Sequence, residues 1–565
     1  MKILLVYPYF LEERIHQDDI RVPPIGLYYV GAMVAAHGHD VKIVNWHNKR
    51  DHGEDIRRVL ADEAPDVIGI SILHGNRWGG IDIARIAKSL SPRTPVVFGG
   101  IGTTCLWQLL LDQVPEIDYA IIGEGEMAFL DLIQSLDRNA FEEIPNISGI
   151  ALRIDGNPTA APATRTMPGL DQHPDPARYF TFQHIVSSRG CPGNCSFCAS
   201  PRYWGRRVHF HSVDYFVDQL ERLYRNGVNF FYISDDTFTI RSERVVAICR
   251  EIIKRDLPIT WAAISRVDAI SENMLKWMRM AGCIQISYGI ESGSEKIRRN
   301  LNKPVSTEQV RNAFALTRRY GIMARAYFIY GCPGETDDTI AETLALIRQI
   351  QPLSAIFYLL AIFPGTALYE DFKKRTGTSD DIWMDRIEDI LYFQTDPALD
   401  QNKILIWGDT LRKNFYRRVS DFANDMDLID DPNLYAFHTD FFSRMGMTFS
   451  HGDYAQNPDI PRKSQTAESL FRRALSYAPV HRAYLGLGIL LQKKGASAGA
   501  VELLREAIER YSVSDDLRTC LGISYMNLGR YRDALSSFEK LTDARPASGY
   551  IAECRGQLNK QPGDG

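Results

Sequence analysis

No stretch of this chain reaches the roughly 18 consecutive apolar residues that a membrane-spanning helix needs. Its opening, MKILLVYPYF, is interrupted by Pro8 before it could form the apolar core of a signal peptide. A cytoplasmic protein is expected. There is no Lys/Arg run and no basic stripe, and 65 basic against 70 acidic residues leave a net charge of −5. Without such a stripe nothing neutralises a phosphate backbone, which sets nucleic acid aside as a partner. Cysteine is scarce and odd in number, nine in 565 residues, so a disulfide framework does not organise the chain. No G-x-G-x-x-G follows the first apolar run, so the dinucleotide fingerprint is missing too.

What is present is enough apolar residue, 45% of the chain, for about three or four domains. Residues 1–145 alternate short apolar runs with longer amphipathic ones: KILLVYP, PPIGLYYVGAMVAAHG, DVKIVNW, DVIGISIL, PVVFGG and DYAIIGEGE. That alternation predicts a Rossmann-like, doubly wound α/β domain with a parallel sheet. Its ligand site lies at the carboxyl ends of the strands, in the loops after Tyr7, Ile70 and Phe98. Residues 146–180 read as a hairpin around Asp155-Gly156-Asn157-Pro158 followed by a Pro- and Ala-rich linker. Over 181–370 the runs HIVSS, NFFYIS, ITWAAIS, IQISYGI, ARAYFIYG and AIFYLLAIF, separated by helical sequence, predict a partial (β/α)6 TIM-like barrel. Residues 371–462 look helical and carry no motif.

Three of the nine cysteines fall within RGCPGNCSFC, at CxxxCxxC spacing, with Phe197 before the last. Three thiolates on a four-iron cubane leave one iron free for a small-molecule ligand. Gly190, Pro192 and Gly193 suit a tight loop around a bulky inorganic core. The competing reading, a structural zinc loop, needs a second CxxC or CxxH, and none appears. The spacing with its aromatic resembles the radical S-adenosylmethionine superfamily. The resemblance implies that Cys191, Cys195 and Cys198 hold a [4Fe–4S] cluster whose open iron binds S-adenosylmethionine. It also points to Ser234, Asp235 and Asp236 of YISDDTF and to Glu291 and Ser292 of SYGIESGS as cofactor contacts. The two aspartates are equally suited to capping a helix. Arg266 and Arg325 are candidates for the cofactor carboxylate, or surface ion-pair partners. Cys249, Cys283 and Cys332 read as buried hydrophobes.

Ahead of that domain, VVFGGIGTT and IIGEGE resemble the cobalamin-binding group of radical S-adenosylmethionine enzymes. Gly99, Gly100 and Gly102 would let backbone approach a large flat ligand, and Ser71, Thr103 and Thr104 would bond its amides; the threonines are also helix-cap candidates. A flavodoxin-like domain holding another nucleotide, or nothing, is the alternative. No DxHxxG supplies a histidine to cobalt, and His16, His39, His47 and His74 are left as contacts without assignment.

The last hundred residues repeat with a 34-residue period: Leu487-Gly488 returns as Leu521-Gly522, Gly495 as Gly529 and Ala500 as Ala534. This resembles tetratricopeptide repeats, here over 463–560, which are expected to dock on the enzyme or recruit a partner protein. The combined resemblance implies C-methylation of an unactivated carbon on a small-molecule or carrier-bound substrate, with a flavodoxin- or ferredoxin-like electron donor. A cyclisation or rearrangement without methyl transfer, as in anaerobic porphyrin cyclases, is the alternative enzyme. A cobalamin-sensing scaffold acting through its repeats is the alternative outside enzymes. Methylthiotransferases carry three N-terminal cysteines, whereas Cys105 here stands alone before Cys191.

Overall fold

The computed structural model describes residues 1–11, 25–50, 52–161 and 169–560. Its first sheet comprises β1 Lys2–Tyr7, β2 Asp40–Asn45, β3 Val67–Ser71, β4 Val96–Gly99, β5 Tyr119–Ile121, β6 Ile150–Ile154 and β7 Asn157–Ala160. The order is β2-β1-β3-β4-β5-β6-β7, parallel through β5 and antiparallel beyond it. Ile3, Leu5 and Tyr7 feed one core with Leu27, Phe129 and Ile133, while Leu4 and Val6 feed another with Ile81, Phe98 and Leu110. A strand with a core on each face has no polar side, which is why KILLVY is apolar throughout. Asp155 and Gly156 both take positive φ, 52° and 81°, the requirement of a two-residue type I′ hairpin turn. Predicted to sit apart with the linker, this hairpin instead pairs β6 with β5 and extends the N-terminal sheet.

The second sheet starts at β8 His184–Ile185, after which β9 Ser188–Arg189 and β10 His209–Phe210 form a short antiparallel ladder. It continues with β11 Phe230–Ile233, β12 Thr260–Ser265, β13 Cys283–Glu291, β14 Met323–Tyr330 and β15 Ser354–Leu359. All six long-sheet strands are parallel, in the order β15-β14-β13-β12-β11-β8, and they are the six runs read from sequence. Along β14, Ala324, Ala326, Phe328 and Tyr330 enter the core while the alternate residues are only half-buried, so one face is packed and the other borders an interior.

The segment without a motif closes this barrel and ties it to the first domain. β16 Ala361–Ile362 pairs with β17 Ile390–Leu391. Between them Arg77, fully buried, donates to the carbonyls of Trp383 at 2.7 Å, Ile387 at 2.5 Å and Glu388 at 3.0 Å, and lies 4.8 Å over the Trp383 ring. The helix Gln401–Asn424 crosses the end of β14: a Cβ at Gly408 would lie 2.5 Å from the Tyr330 ring. In the repeats, Gly488 and Gly522 do the same work 34 positions apart. A Cβ would lie 2.9 Å from Leu504 at the first and 2.3 Å from Phe538 at the second, so only glycine permits these helix contacts. The repeats share one continuous core with the barrel helices, and Asp440, on the helix ahead of the repeats, bridges buried Arg279 at 3.2 Å and Arg482 of the repeats at 3.0 Å. They are docked on the enzyme. Among the described residues no helix is long and apolar enough to cross a membrane.

Candidate active site and cofactor cavities

Cys191, Cys195 and Cys198 lie in the loop that leaves β9, each half-buried and none in a disulfide. The loop is gripped from several elements. Asp236 accepts from the Gly190 amide at 3.1 Å and the Ser200 hydroxyl at 3.1 Å. The Ser196 amide donates to Leu301 at 3.0 Å, and Asn302 donates to the Asn194 carbonyl at 2.6 Å. Gly190 has φ 96°, and a Cβ there would sit 2.1 Å from the Arg207 carbonyl, so no other residue fits. At Gly193 a Cβ would stand 3.3 Å from Cys191 Sγ and 4.0 Å from Cys195 Sγ. Two thiols thus converge on a place that Gly193 leaves without a side chain of its own and that Arg266 also approaches, which fits a cluster whose corners they hold. Among the described residues no three His, Cys, Asp or Glu side chains gather tightly enough for a single ion; cubane thiolates bind separate irons. Burial pushes the Cys195 thiol up and the Cys198 thiol up to about 11, so loading metal here displaces protons.

Several of the residues named as contacts make internal bonds. Asp235, 1% exposed, accepts from the Ser187 amide and hydroxyl at 2.6 Å and the Ser188 hydroxyl at 2.5 Å, so its oxygens hold the approach to the cysteine loop. Ser234 meets His184 Nδ1 at 3.1 Å. Ser292 is buried, receives the Ser294 amide at 3.1 Å and meets Thr343 at 3.4 Å, which turns it away from the strand ends. Arg325 is the third residue of β14, far from its carboxyl end, and its Nε donates to Ser354 at 3.0 Å. Arg266 does reach the loop: its Nη1 would lie 3.2 Å from a Cβ at Gly193, while the fork itself grips Asp268 at 2.9 and 2.7 Å. Phe197 packs against a core that draws on both domains. Cys249, Cys283 and Cys332 are fully buried.

Glu291 ends β13 where its register against β14 shifts, with φ 68°, a left-handed conformation that costs a non-glycine residue about 1 kcal/mol or more. Its carboxylate pairs with Lys303, which sequence pattern did not single out; the two are 6% exposed each. A Cβ at Gly289 would lie 2.5 Å from Glu291 Oε1 and 2.6 Å from Lys303 Nζ, so that glycine makes their room. Lys303 also pulls the Cys195 thiol downward against its burial, which locates the pair beside the cysteines. An anion and a cation presented together complement the amine and carboxylate of an amino acid.

The carboxyl ends of β1, β3, β4 and β5 open into a cavity of about 270 Å³ whose walls include Gly69, Ser71, Gly99, Gly100, Gly123 and Gly125. Gly100 has φ 91°, and a Cβ there would lie 2.6 Å from the Ile72 carbonyl. Apolar Leu27, Val97, Ile121 and Phe129 complete a glycine-floored slot that fits a flat ring. Ser71, Gly99 and Gly100 line the cavity, whereas Gly102, Thr103 and Thr104 do not. Gly102 is needed because a Cβ would meet the Leu73 carbonyl at 2.7 Å. Thr103 and Thr104 bond back to the Gly99 and Gly100 carbonyls at 2.9 Å each, neither capping the helix nor facing the slot, although Thr104 also receives the Gly123 amide at 3.0 Å. Of the histidines, His39 contacts the N-terminal amine at 3.3 Å and His47 contacts Asn45, while His74 is stacked 5.6 Å from Phe363 with burial pushing it down to about 3. His16 lies outside the described residues.

The far wall of the slot comes from the second domain: Val186, Arg189, Tyr203 and Trp204. Arg189 reaches Glu124 at 3.2 Å and Glu126 at 2.6 Å, and its guanidinium lies 4.8 Å over the Tyr29 ring. Tyr203 donates to the Gly123 carbonyl at 2.6 Å. Burial alone would raise the Glu126 pKa, but Arg189 holds it below the usual carboxylate range. Sequence reading quoted IIGEGE and RGC without seeing that they meet.

Comparison with known proteins matches residues 185–347 to the Radical SAM superfamily, 19–133 to the B12 binding domain and 462–515 to the tetratricopeptide repeat. An uncharacterized methyltransferase of Pyrococcus horikoshii is 31% identical over 382 residues, covering 66% of this chain and 83% of that protein. The anaerobic magnesium-protoporphyrin IX monomethyl ester cyclase of Rubrivivax gelatinosus is 28% identical, covering 74% of this chain and 77% of that one. In fold, the chain resembles the radical S-adenosylmethionine methyltransferase TsrM from Kitasatospora setae, solved with cobalamin and a [4Fe-4S] cluster, at TM-score 0.61 and 17% identity over 84% of this chain and 99% of that one. The cysteine loop, the glycine-floored slot facing it and these relatives together place the chain among the cobalamin-dependent radical S-adenosylmethionine enzymes of the methyltransferase and cyclase group.

Proposed function

We propose that the enzyme C-methylates an unactivated carbon of its substrate. The observation that carries this reading is the apposition of the glycine-floored slot and the cysteine loop across Arg189, two residues before Cys191. When bound, the cluster with S-adenosylmethionine would supply radical hydrogen abstraction, and cobalamin would supply the methyl group. The residues hold and orient: Cys191, Cys195 and Cys198 take the cluster, and Gly193 keeps its place clear. Glu291 and Lys303, paired with each other beside Cys195, would meet the amino-acid end of S-adenosylmethionine. Ser71, Gly99 and Gly100 seat the flat end of cobalamin, while Tyr203 and Trp204 close the seam against water. The docked repeats, with two of their helix contacts fixed by glycine, offer a surface for a carrier or partner protein.

The test uses anaerobically reconstituted protein, methyl-labelled S-adenosylmethionine and a metabolite extract as substrate source. The expected outcome is one labelled product, with S-adenosylhomocysteine and 5′-deoxyadenosine formed together. The similarity to the porphyrin cyclase supports a second reading, ring closure without methyl transfer. Deoxyadenosine accompanied by an unlabelled, dehydrogenated product would select it over methylation.

A further inference from the structure

Arg77, Arg279 and Arg298 are each at most 1% exposed. Arg77 ties the N-terminal domain to the segment around Trp383, and Arg279 reaches Asp440 on the helix ahead of the repeats. Arg298 joins no distant parts. All three of its side-chain hydrogen bonds fall on the one turn that leads from β13 into the helix Thr307–Arg319. Nη1 donates to the Ser292 carbonyl at 2.6 Å, Nε to the Val305 carbonyl at 2.8 Å and Nη2 to the Thr307 hydroxyl at 2.7 Å. Its own carbonyl receives the Lys303 amide at 2.8 Å. Glu295 lies 3.5 Å from Nη2 with its side chain 47% exposed, so most of the grip on this buried charge comes from neutral oxygens of the turn.

This turn carries what stands beside the cysteines. Ser292 follows Glu291 directly, and Lys303, the partner of Glu291, lies between Arg298 and Val305. The Leu301 carbonyl receives the Ser196 amide at 3.0 Å, and Asn302 donates to the Asn194 carbonyl at 2.6 Å. Glu291 and Asn302 both take left-handed backbone, φ 68° and 51°. Such positions persist at non-glycine residues only where their surroundings over-determine them. Arg298 supplies that constraint on each side, at Ser292 next to the first and at Lys303 and Val305 beyond the second. A planar guanidinium can serve three acceptors in fixed directions at once, which the point charge of a lysine cannot.

We propose that Arg298 is a positioning residue for S-adenosylmethionine, setting the Glu291–Lys303 pair against the cysteine loop; this rests on the reading of that pair given above. Arg298 touches neither the cofactor nor the thiols. It acts through Lys303, by fixing the backbone on both sides of it, so the pair meets its ligand already in place and loses little freedom on binding.

The experiment measures binding of radiolabelled S-adenosylmethionine by anaerobic equilibrium dialysis to full-length protein with its reconstituted cluster, loading being followed by iron and sulfide content. R298K keeps the charge but loses the fork. It should load iron and sulfide as the wild type does and bind S-adenosylmethionine at least about tenfold more weakly, the effect of one charge-assisted hydrogen bond. K303M should also bind weakly, and R298K/K303M no more weakly than K303M, because a residue that acts through Lys303 has nothing left to position. A loss of fold stability alone would instead make the two effects add, and additive losses would overturn the proposal. So would a folded R298K protein that fails to load iron and sulfide. T307A removes one of the three acceptors and carries the test if R298K does not fold; unchanged affinity there would refute the proposal equally. Wild-type affinity in R298K beside a weakened K303M would sink the role of Arg298 alone, whereas wild-type affinity in K303M would sink the reading of the pair and this proposal with it.

Discussion

Arg189→Met removes the cation at the seam between the two domains while keeping most of the side-chain volume. Glu126 is 4% exposed, with Arg189 at 2.6 Å, and Glu124 lies on the same guanidinium at 3.2 Å. Charges about 4 Å apart in an environment of effective dielectric about 20 attract by roughly 4 kcal/mol. Removing one partner of such a pair also strands the other without water, and together these cost about 3–5 kcal/mol. The loss of the cation over the Tyr29 ring adds about 1 kcal/mol. We therefore expect a fall of about 4–6 kcal/mol in urea unfolding of the R189M protein, with hydroxocobalamin binding weakened because Arg189 walls the slot. The informative comparison is R189M/E126Q, in which the stranded carboxylate is neutral; it should recover about half the loss. If R189M unfolds within 0.5 kcal/mol of wild type, or the double variant is no more stable than the single one, the pair does not carry the seam.

Gly100→Ala should lower hydroxocobalamin affinity at least about tenfold, because φ 91° and a carbonyl 2.6 Å from the new methyl force the slot floor to shift; an unchanged absorbance titration would remove the slot as the cobalamin seat. Burial raises Glu335 to about 7, above its unfolded value of 4.5, although the Gly331 and Cys332 amides partly stabilise its charge. The folded protein then keeps a proton that the unfolded chain has lost, so stability falls as pH rises from about 4.5 to 7, by roughly 3 kcal/mol in all. Glu335→Gln should be more stable than wild type at pH 8 and no more stable at pH 4; urea midpoints that differ equally at both would contradict this.

What could be read from the chain alone follows from how local each feature is. The six barrel runs and the N-terminal strands were legible because a strand buried on both faces is apolar in every residue. The cysteine loop was legible because its ligands lie within eight consecutive positions. The internal partners of Asp235 and Ser292 went unread for a shared reason: a polar residue at a strand end is equally suited to a ligand or to a neighbouring loop, and only the fold shows that Ser187 and Thr343 are within reach of them. The Asp155-Gly156 turn was recognised, but nothing in a hairpin says which sheet it will join. Lys303 carried no signal, being one lysine in an exposed-looking turn, until Glu291 and Gly289 were seen to enclose it.

The residues that sequence pattern missed are mostly those that join distant parts of the chain, and this bears on how the two cofactor seats are coupled. Arg189 belongs to β9, the strand that delivers the cysteine loop, yet its charge is held by Glu124 and Glu126 of the N-terminal domain. Gly190, next in sequence, admits no side chain because the Arg207 carbonyl lies where its Cβ would be. Tyr203, a few residues past the last cysteine, returns to the Gly123 carbonyl on the slot floor. The loop that holds the three thiols is therefore anchored at both ends to the domain that forms the slot. Displacing Glu126 or Gly123 must move the thiols, and seating a ligand in the slot must constrain them. Two seats joined through one short loop, pinned at one end by the Arg189 ion pairs and at the other by the Tyr203 hydrogen bond, keep their spacing only as long as those contacts hold, which is what the proposed reaction would require.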